Sequence, residues 1–397
     1  MSTGTDQELR RYPFETFRGD LPAELLRRTA EEPVSRVVLP DGRLVWLVAG
    51  YAEVRQVLSD PRFDRRGRPA ADLPGATAAG DAKPGCPVRD LVMDGAAHSS
   101  LRRVAQRPFT ARSLESHRWR VQEITDRLLA EMVAGGPPAD LVAALIAPLP
   151  ILVICALLGV SAADRERVTA WDMDLASMTA YGSAAAAGAD AQLSSYLARR
   201  IAGKRDAPGD DLLSDWIGQD ELTDAEIVGL ATGVLRGGWE VNSTSAGLRA
   251  LFLHPAELAR LRADPGRMPA VIEEILRYAT VSPMFRVQTV AEDLDLGGMA
   301  LRAGDAVMAV PWAANRDPAV FPDPNVFNPD RASNPHLGFG YGPHFCLGAA
   351  LGRLEIEVVL GALMKRFPRL APAVPLDELP WRNDLVKGGL AAFPVTW

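Results

Sequence analysis

Residues 339–348, F-G-Y-G-P-H-F-C-L-G, place Cys346 just ahead of residues 349–364, an apolar run with helical spacing. A cysteine at a helix start sits among backbone N–H groups that lack an intrahelical partner, at the positive end of the helix dipole. That setting favours thiolate over thiol. The decamer therefore reads as a cradle for a metal-bound thiolate. Gly340 and Gly342 allow a sharp turn and a close approach to a flat ligand, and Gly348 leaves no β-carbon beside the metal. The amides around the sulfur would tune the metal's redox potential. Phe339 is placed to shield the sulfur from water, and His344 to reach an acidic edge of the ligand. The opposing reading makes Cys346 an inert, buried, small apolar residue. Spacing to other motifs decides between the two.

Composition excludes more than it identifies. With 48% apolar and 23% charged residues, the 397-residue chain has the content of a globular protein with a large core. A net charge of -7, with no basic stripe to offset it, argues against nucleic acid as a partner. The three cysteines, Cys86, Cys155 and Cys346, have neither paired nor metal-finger spacing, which fits a reducing cytoplasm and no disulfide framework. The first residues show no apolar core behind their charges, so neither a signal peptide nor an anchor is expected. Residues 141–163 carry no charge, but Pro148 and Pro150 interrupt them, and the unbroken apolar run from Ile151 has the length of a buried helix rather than a membrane span.

Along the chain, residues 34–39 and 44–48 read as an extended pair around Asp41-Gly42, followed by a helix over 51–58. Residues 63–92, rich in Gly, Pro, Ala and Arg, read as a long loop. In M-D-G-A-A-H-S-S-L-R-R, His98 and Arg102 fall on one helix face. Residues 114–133 and 138–160 read as helices, as do residues 162–200, with Trp171, Met173, Met178 and Tyr181 either in the core or on a pocket roof. After a polar break at 206–211, a long helix is expected over 222–253, opened by Thr223 with Glu226 at capping-box spacing. Its centre, V-L-R-G-G-W-E-V-N-S-T, holds two glycines where a helix normally avoids them, so something must lie close to that face. Glu274 and Arg277 form an E-x-x-R pair in the helix ending V-I-E-E-I-L-R-Y.

The decamer resembles the haem-ligand signature of the cytochrome P450 family, and the other strings fall at that family's spacing over nearly the whole chain. The resemblance implies a mainly α, triangular single domain, residues 1–397, with small β-sheets and haem b buried between a distal helix and the Cys346 loop. It makes Cys346 the axial iron ligand, with Phe339, Gly340, His344 and Gly348 around it. It implies that His98, Arg102, Arg286 and His344 hold the propionates, and that Gly237 and Gly238 are the small pair on the distal helix. Glu240 matches the distal acid, while Val241 stands where the family has threonine, leaving Glu240, Val241 and Asn242 to govern proton delivery. Arg236, Trp239, Ser282, Met284, Phe285, Val386 and Lys387 match positions facing substrate; for Arg236 a rotated helix and a surface acid is the alternative. Glu274, Arg277 and Arg331 match a buried structural network.

The activity implied is a monooxygenase reaction on a small molecule, with electrons from a ferredoxin and its reductase docked near Arg103, Arg107 and Arg353, and no membrane or nucleic acid involved. A haem sensor or carrier without turnover and a peroxide-using haem enzyme are the alternatives. The missing threonine and the tail residues 374–382 and 393–397 look like the branch that oxidises aromatic cyclodipeptides, often by coupling rings. The other expectation is a hydroxylase of a macrolide, terpene or other secondary metabolite.

Overall fold

The computed structural model describes residues 10–15, 18–65, 94–176, 184–237, 241–279, 287–382 and 389–397, without the side chains of 172–176, 184–187 and 241. The described residues are mainly helical and have the triangular architecture expected from the resemblance. Among the described residues, small sheets of five, three and two strands complete it.

The alternating apolar residues near the start form β1 (Val34–Val38) and β2 (Leu44–Val48), antiparallel with Val34 opposite Val48. Then come β3 (Phe63–Asp64), β4 (Ala139–Asp140), β5 (Val287–Val290), β6 (Leu294–Leu296), β7 (Met299–Leu301), β8 (Ala306–Ala309), β9 (Ala371–Pro372) and β10 (Pro394–Thr396). The larger sheet has the order β1-β2-β8-β5-β3, with β2 parallel to β8. The Tyr51–Ser59 helix comes directly after β2 and buries Val54, Val57 and Leu58. Its first N–H, on Tyr51, donates at 2.8 Å to the carboxylate of Asp317, a cap supplied from far along the chain.

Several helices differ from the sequence expectation. Residues 114–133 belong to two helices, Ala111–Glu115 and Arg118–Gly135. Residues 138–160, expected as helix, open instead with β4, because the Asp140 carboxylate accepts the N–H groups of Val142 at 3.0 Å and Phe393 at 2.8 Å and so ties the chain to its own C-terminus. A π-helical turn, Val142–Ile146, precedes the Pro148–Leu157 helix. Pro148 starts that helix, where a missing N–H costs nothing. The alanine-rich region forms Ala162–Ala176 and Ala184–Asp206. Trp171 there packs on Tyr196, ring centroids 6.0 Å apart, and belongs to the core; Met178, Tyr181 and the Met173 side chain lie outside the described residues.

The long central helix is described as Asp224–Gly237 and Val241–Leu253. Its capping box forms: Glu226 accepts the Thr223 N–H at 2.8 Å, and the Thr223 hydroxyl accepts the Glu226 N–H at 3.3 Å. The second half lies close against the Met268–Tyr278 helix. A β-carbon at Gly247 would come within 2.4 Å of Ile275 Cγ2, so only glycine permits this approach. The Ala349–Arg366 helix buries Leu351, Leu354, Ile356, Val359 and Leu363, and packs against Met268–Tyr278 and Arg118–Gly135. These contacts fix the loop ahead of it. Among the described residues no single helix is long and apolar enough to cross a membrane; Val142–Leu157 and Ala162–Trp171 together reach that length and composition but are bent by 120°.

Candidate functional site

Residues 339–348 are closed by backbone bonds: the Cys346 N–H donates to the Phe339 carbonyl at 2.9 Å, and the Phe345 N–H to that of Gly342 at 3.0 Å. Gly340 and Gly342 have φ of +75° and +73°, the left-handed region that glycine adopts without strain. Gly342 is needed for a second reason that differs from the expectation. A β-carbon there would lie 2.6 Å from the Leu58 carbonyl oxygen, so its close neighbour is the end of the Tyr51–Ser59 helix rather than a ligand. Gly348 caps the Ala349–Arg366 helix, and its β-carbon position is 4.0 Å from Cys346 Sγ. The loop buries Leu337 and Phe339 yet leaves Cys346 exposed, whereas Cys155 is buried in the core. The Arg353 guanidinium lies 4.8 Å over the Phe339 ring.

Beside the sulfur three basic side chains converge. His98 and Arg102 share one face of the Ala96–Ala105 helix, and the His98 and His344 rings stack with centroids 4.2 Å apart. Arg102 donates to the Phe345 carbonyl, which sets its guanidinium against the loop. His344 Nε2 is 2.7 Å from Asp94 Oδ1, a partner the sequence reading missed although Asp94 stands at the head of the same string as His98. Burial pushes the His98 imidazole down to about 4, and repulsion from His344 and Arg102 adds to it. Burial also pulls Arg102 below its usual range, while the Cys346 sulfur acts the other way. Among the described residues, His98, Arg102 and His344 thus gather beside the loop, and the Asp94 carboxylate lies among His98, His344 and Arg65. The cluster suits a ligand that brings further negative charge.

The distal helix leaves room. A β-carbon at Gly237 would meet nothing within 4 Å, so no described protein atom presses on the face where the paired glycines led us to expect close contact. Arg236 is half-buried near the end of Asp224–Gly237. Asn242 is buried, and a β-carbon at Gly389 would lie 2.1 Å from its Oδ1; with φ of +118°, Gly389 is doubly required. The Asn242 amide therefore lies against the C-terminal segment. That segment pairs with itself across residues 383–388: Arg382 N–H donates to the Gly389 carbonyl at 2.9 Å, and Trp381 bridges Leu390. Gly238, Trp239, Glu240, Ser282, Met284, Phe285, Arg286, Val386, Lys387 and the Val241 side chain lie outside the described residues.

Behind the loop, Glu274 and Arg277 are fully buried. The Arg277 guanidinium donates to both Glu274 oxygens, at 2.8 and 2.7 Å, and to the carbonyls of Asn315, Pro324 and Val326. Arg331 reaches Glu274 at 3.3 Å and directs its other donors to the Pro322, Asp323 and Val326 carbonyls. Asn328 and Asn334 complete the carboxylate's bonds through a backbone and a side-chain N–H, at 2.7 and 3.1 Å. Both asparagines flank Arg331 in the sequence, a signal that proximity to F-N-P-D-R offered.

Basic residues expected at the reductant-facing surface are already paired: Arg103 and Arg107 both reach Glu221, at 2.6 and 2.7 Å, and Arg353 reaches Glu273 at 2.6 Å. The exposed Arg103 and Arg107 pairs are worth little and exchange readily with a partner's charges, whereas the Arg353–Glu273 pair is half-buried. Burial pushes the Glu273 carboxyl up, but Arg353 and His336 outweigh it and hold it down at about 2. A carboxyl depressed in the folded state stabilises above its unfolded value of 4.5, and that contribution is lost as pH falls toward 2. Glu273→Gln is expected to flatten this acid limb. Urea midpoints taken between about pH 5 and pH 3 should fall less steeply in the variant than in the parent.

An exposed thiol at a helix start, next to a cluster of basic groups, suits haem, whose iron takes a thiolate and whose propionates supply two carboxylates. Comparison with known proteins agrees. A profile of the family described as Cytochrome P450 matches residues 267–381. Nocardicin C N-oxygenase of Nocardia uniformis subsp. tsuyamanensis is 39% identical over 401 residues, 99% of this chain and 100% of that one. A variant of the mixed-function P450 MycG in complex with mycinamicin V superposes with a TM-score of 0.89 at 37% identity, covering 98% of this chain and 100% of that one. A cytochrome P450 with biaryl coupling reactivity superposes at 0.84 and 35% identity with the same coverage. With end-to-end identity of this order and the fold of solved members, the chain belongs to the cytochrome P450 family, and its cofactor is haem b.

Proposed function

We propose that this cytochrome P450 monooxygenase oxidises a small natural product, as one unit spanning residues 1–397, with Cys346 as the axial thiolate. The observation that carries the assignment is the meeting of Cys346 with His98, Arg102 and His344 in one cluster. Thiolate-ligated haem supplies oxygen activation, the thiolate's electron push favouring O–O cleavage. The chain's own residues bind and orient. His98, Arg102 and His344, with Arg286 as the fourth member, hold the propionates through charge-assisted bonds. Phe339, buried and bonded through its carbonyl to the Cys346 N–H, shields one flank of the sulfur. A ferredoxin and its reductase supply electrons, docking near Arg103, Arg107 and Arg353, where the first two can exchange their acidic partner for those of the donor.

Val241 supports a more specific reading, in which the products include coupled or desaturated molecules. Valine has nearly the shape of threonine but no hydroxyl to relay protons. Buried Ser245 does not replace it, because its hydroxyl donates to the Asn242 carbonyl at 3.2 Å. Proton delivery then rests on Glu240, on Asn242 or Ser243, on ordered water, or on an N–H or O–H of the substrate, and the last route favours ring coupling over oxygen insertion. That a relative of similar fold has biaryl coupling reactivity supports this, and the tail sequence keeps aromatic cyclodipeptides among the candidate substrates. The second reading, ordinary hydroxylation, is favoured by a 40% identical relative named Mycinamicin IV hydroxylase/epoxidase.

Substrate-induced Soret shifts across cyclodipeptides, macrolides and terpenes would identify the class. On the substrate so found, the parent is expected to give mainly coupled or desaturated product and Val241→Thr to gain hydroxylated product. A parent that yields only hydroxylated product with tight electron coupling would rule out the coupling reading.

A further inference from the structure

Among the described residues the cluster beside Cys346 contains one carboxylate, and its contacts are specific. Asp94 Oδ1 lies 2.7 Å from His344 Nε2, while its Oδ2 accepts the backbone N–H of Arg65 at 2.9 Å. The carboxylate is thus held at both oxygens. The His344 side chain is only 11% exposed, and its ring is fixed a second time by the stack on His98, 4.2 Å away and tilted by 31°. An imidazole has two ring nitrogens, and a hydrogen bond made by one determines what the other can do. With Nε2–H donated to Asp94, Nδ1 is the nitrogen turned to other partners; a ring flip would break the bond to Asp94, and a swing out of the ring plane would break the stack.

We infer that Asp94 is a positioning residue for haem: it acts through His344, setting which ring nitrogen faces a propionate and holding the ring at that edge. Carboxylates that orient a ligating histidine in metal sites act in the same way, and their removal costs about 10–100-fold in affinity. Asp94, just ahead of the Ala96–Ala105 helix, also joins two segments, because the same carboxylate that holds His344 holds the backbone at Arg65. The bland alternative is that Asp94 merely anchors the backbone at Arg65. The inference rests on the haem-cradle reading of the same loop, and the experiment separates the two.

Holoenzyme is mixed with excess apomyoglobin, and the rate of haem transfer is followed for the parent, Asp94→Asn, His344→Gln and the double variant. Asparagine keeps an acceptor for the Arg65 N–H, so a backbone anchor would survive it. We expect Asp94→Asn and His344→Gln each to speed haem loss about tenfold, the double variant to lose haem no faster than His344→Gln alone, and Asp94→Glu to recover part of the parent's retention. Parent-like haem loss in Asp94→Asn, or effects that multiply in the double variant, would overturn the proposal. If His344→Gln itself is silent, the propionate assignment of His344 falls and Asp94 falls with it. The carbon monoxide spectrum of the parent reports on Cys346 independently of either outcome.

Discussion

Cys346→His should abolish the red-shifted Soret band of the reduced, carbon monoxide-bound protein and, with it, substrate turnover. The shift reports thiolate ligation, and a neutral imidazole in the same place gives no comparable electron push. We expect product formation to fall at least about a hundredfold, ~2.7 kcal/mol on the barrier. Cys155→Ser serves as control, because that sulfur is buried among apolar side chains and away from the cationic cluster. Cys155→Ser should keep the parent's spectrum. A Cys346→His protein with the parent's spectrum would show that another residue ligates the iron.

The largest effect on stability is expected at Glu274. Its two oxygens accept from Arg277, Arg331, Asn328 and Asn334, and the Glu274–Arg277 pair has no solvent exposure at all. Removing the carboxylate strands a fully buried guanidinium, whose remaining partners are neutral carbonyls. Breaking such a pair from one side costs about 3–5 kcal/mol, much more than an exposed pair is worth. Glu274→Ala should therefore lower the thermal midpoint of the holoprotein sharply and reduce the fraction recovered with haem. Glu274→Gln keeps the size and part of the hydrogen bonding and should fall between. A Glu274→Ala protein within about 0.5 kcal/mol of the parent would mean that the network contributes specificity rather than stability.

Where the sequence could be read, the reading rested on short range. His98 with Arg102 and Glu274 with Arg277 stand at helical spacing, and the helix places each pair on one face. The Thr223 and Glu226 cap and the β1–β2 pairing around Gly42 are likewise decided within a few residues. Failures occurred where a distant segment intervened. Residues 138–160 carry a helical apolar pattern, yet Asp140 engages Phe393 and draws the start of the segment into a sheet. Gly342 reads as a ligand-approach glycine and instead presses on Leu58.

The cysteine loop, its glycines and the ordered motifs behind it carried the resemblance that implied the family, the cofactor and a mainly helical fold, and the caps and helix faces were legible because they are encoded in neighbouring residues. Which side chains meet at the site was decided only by the tertiary structure. Asp94 and His344 lie 250 positions apart, Asn242 lies against Gly389, and Gly247 against Ile275. No local periodicity carries such pairings. They arise from how the helices pack, and packing depends on the shapes of surfaces that no stretch of sequence contains alone.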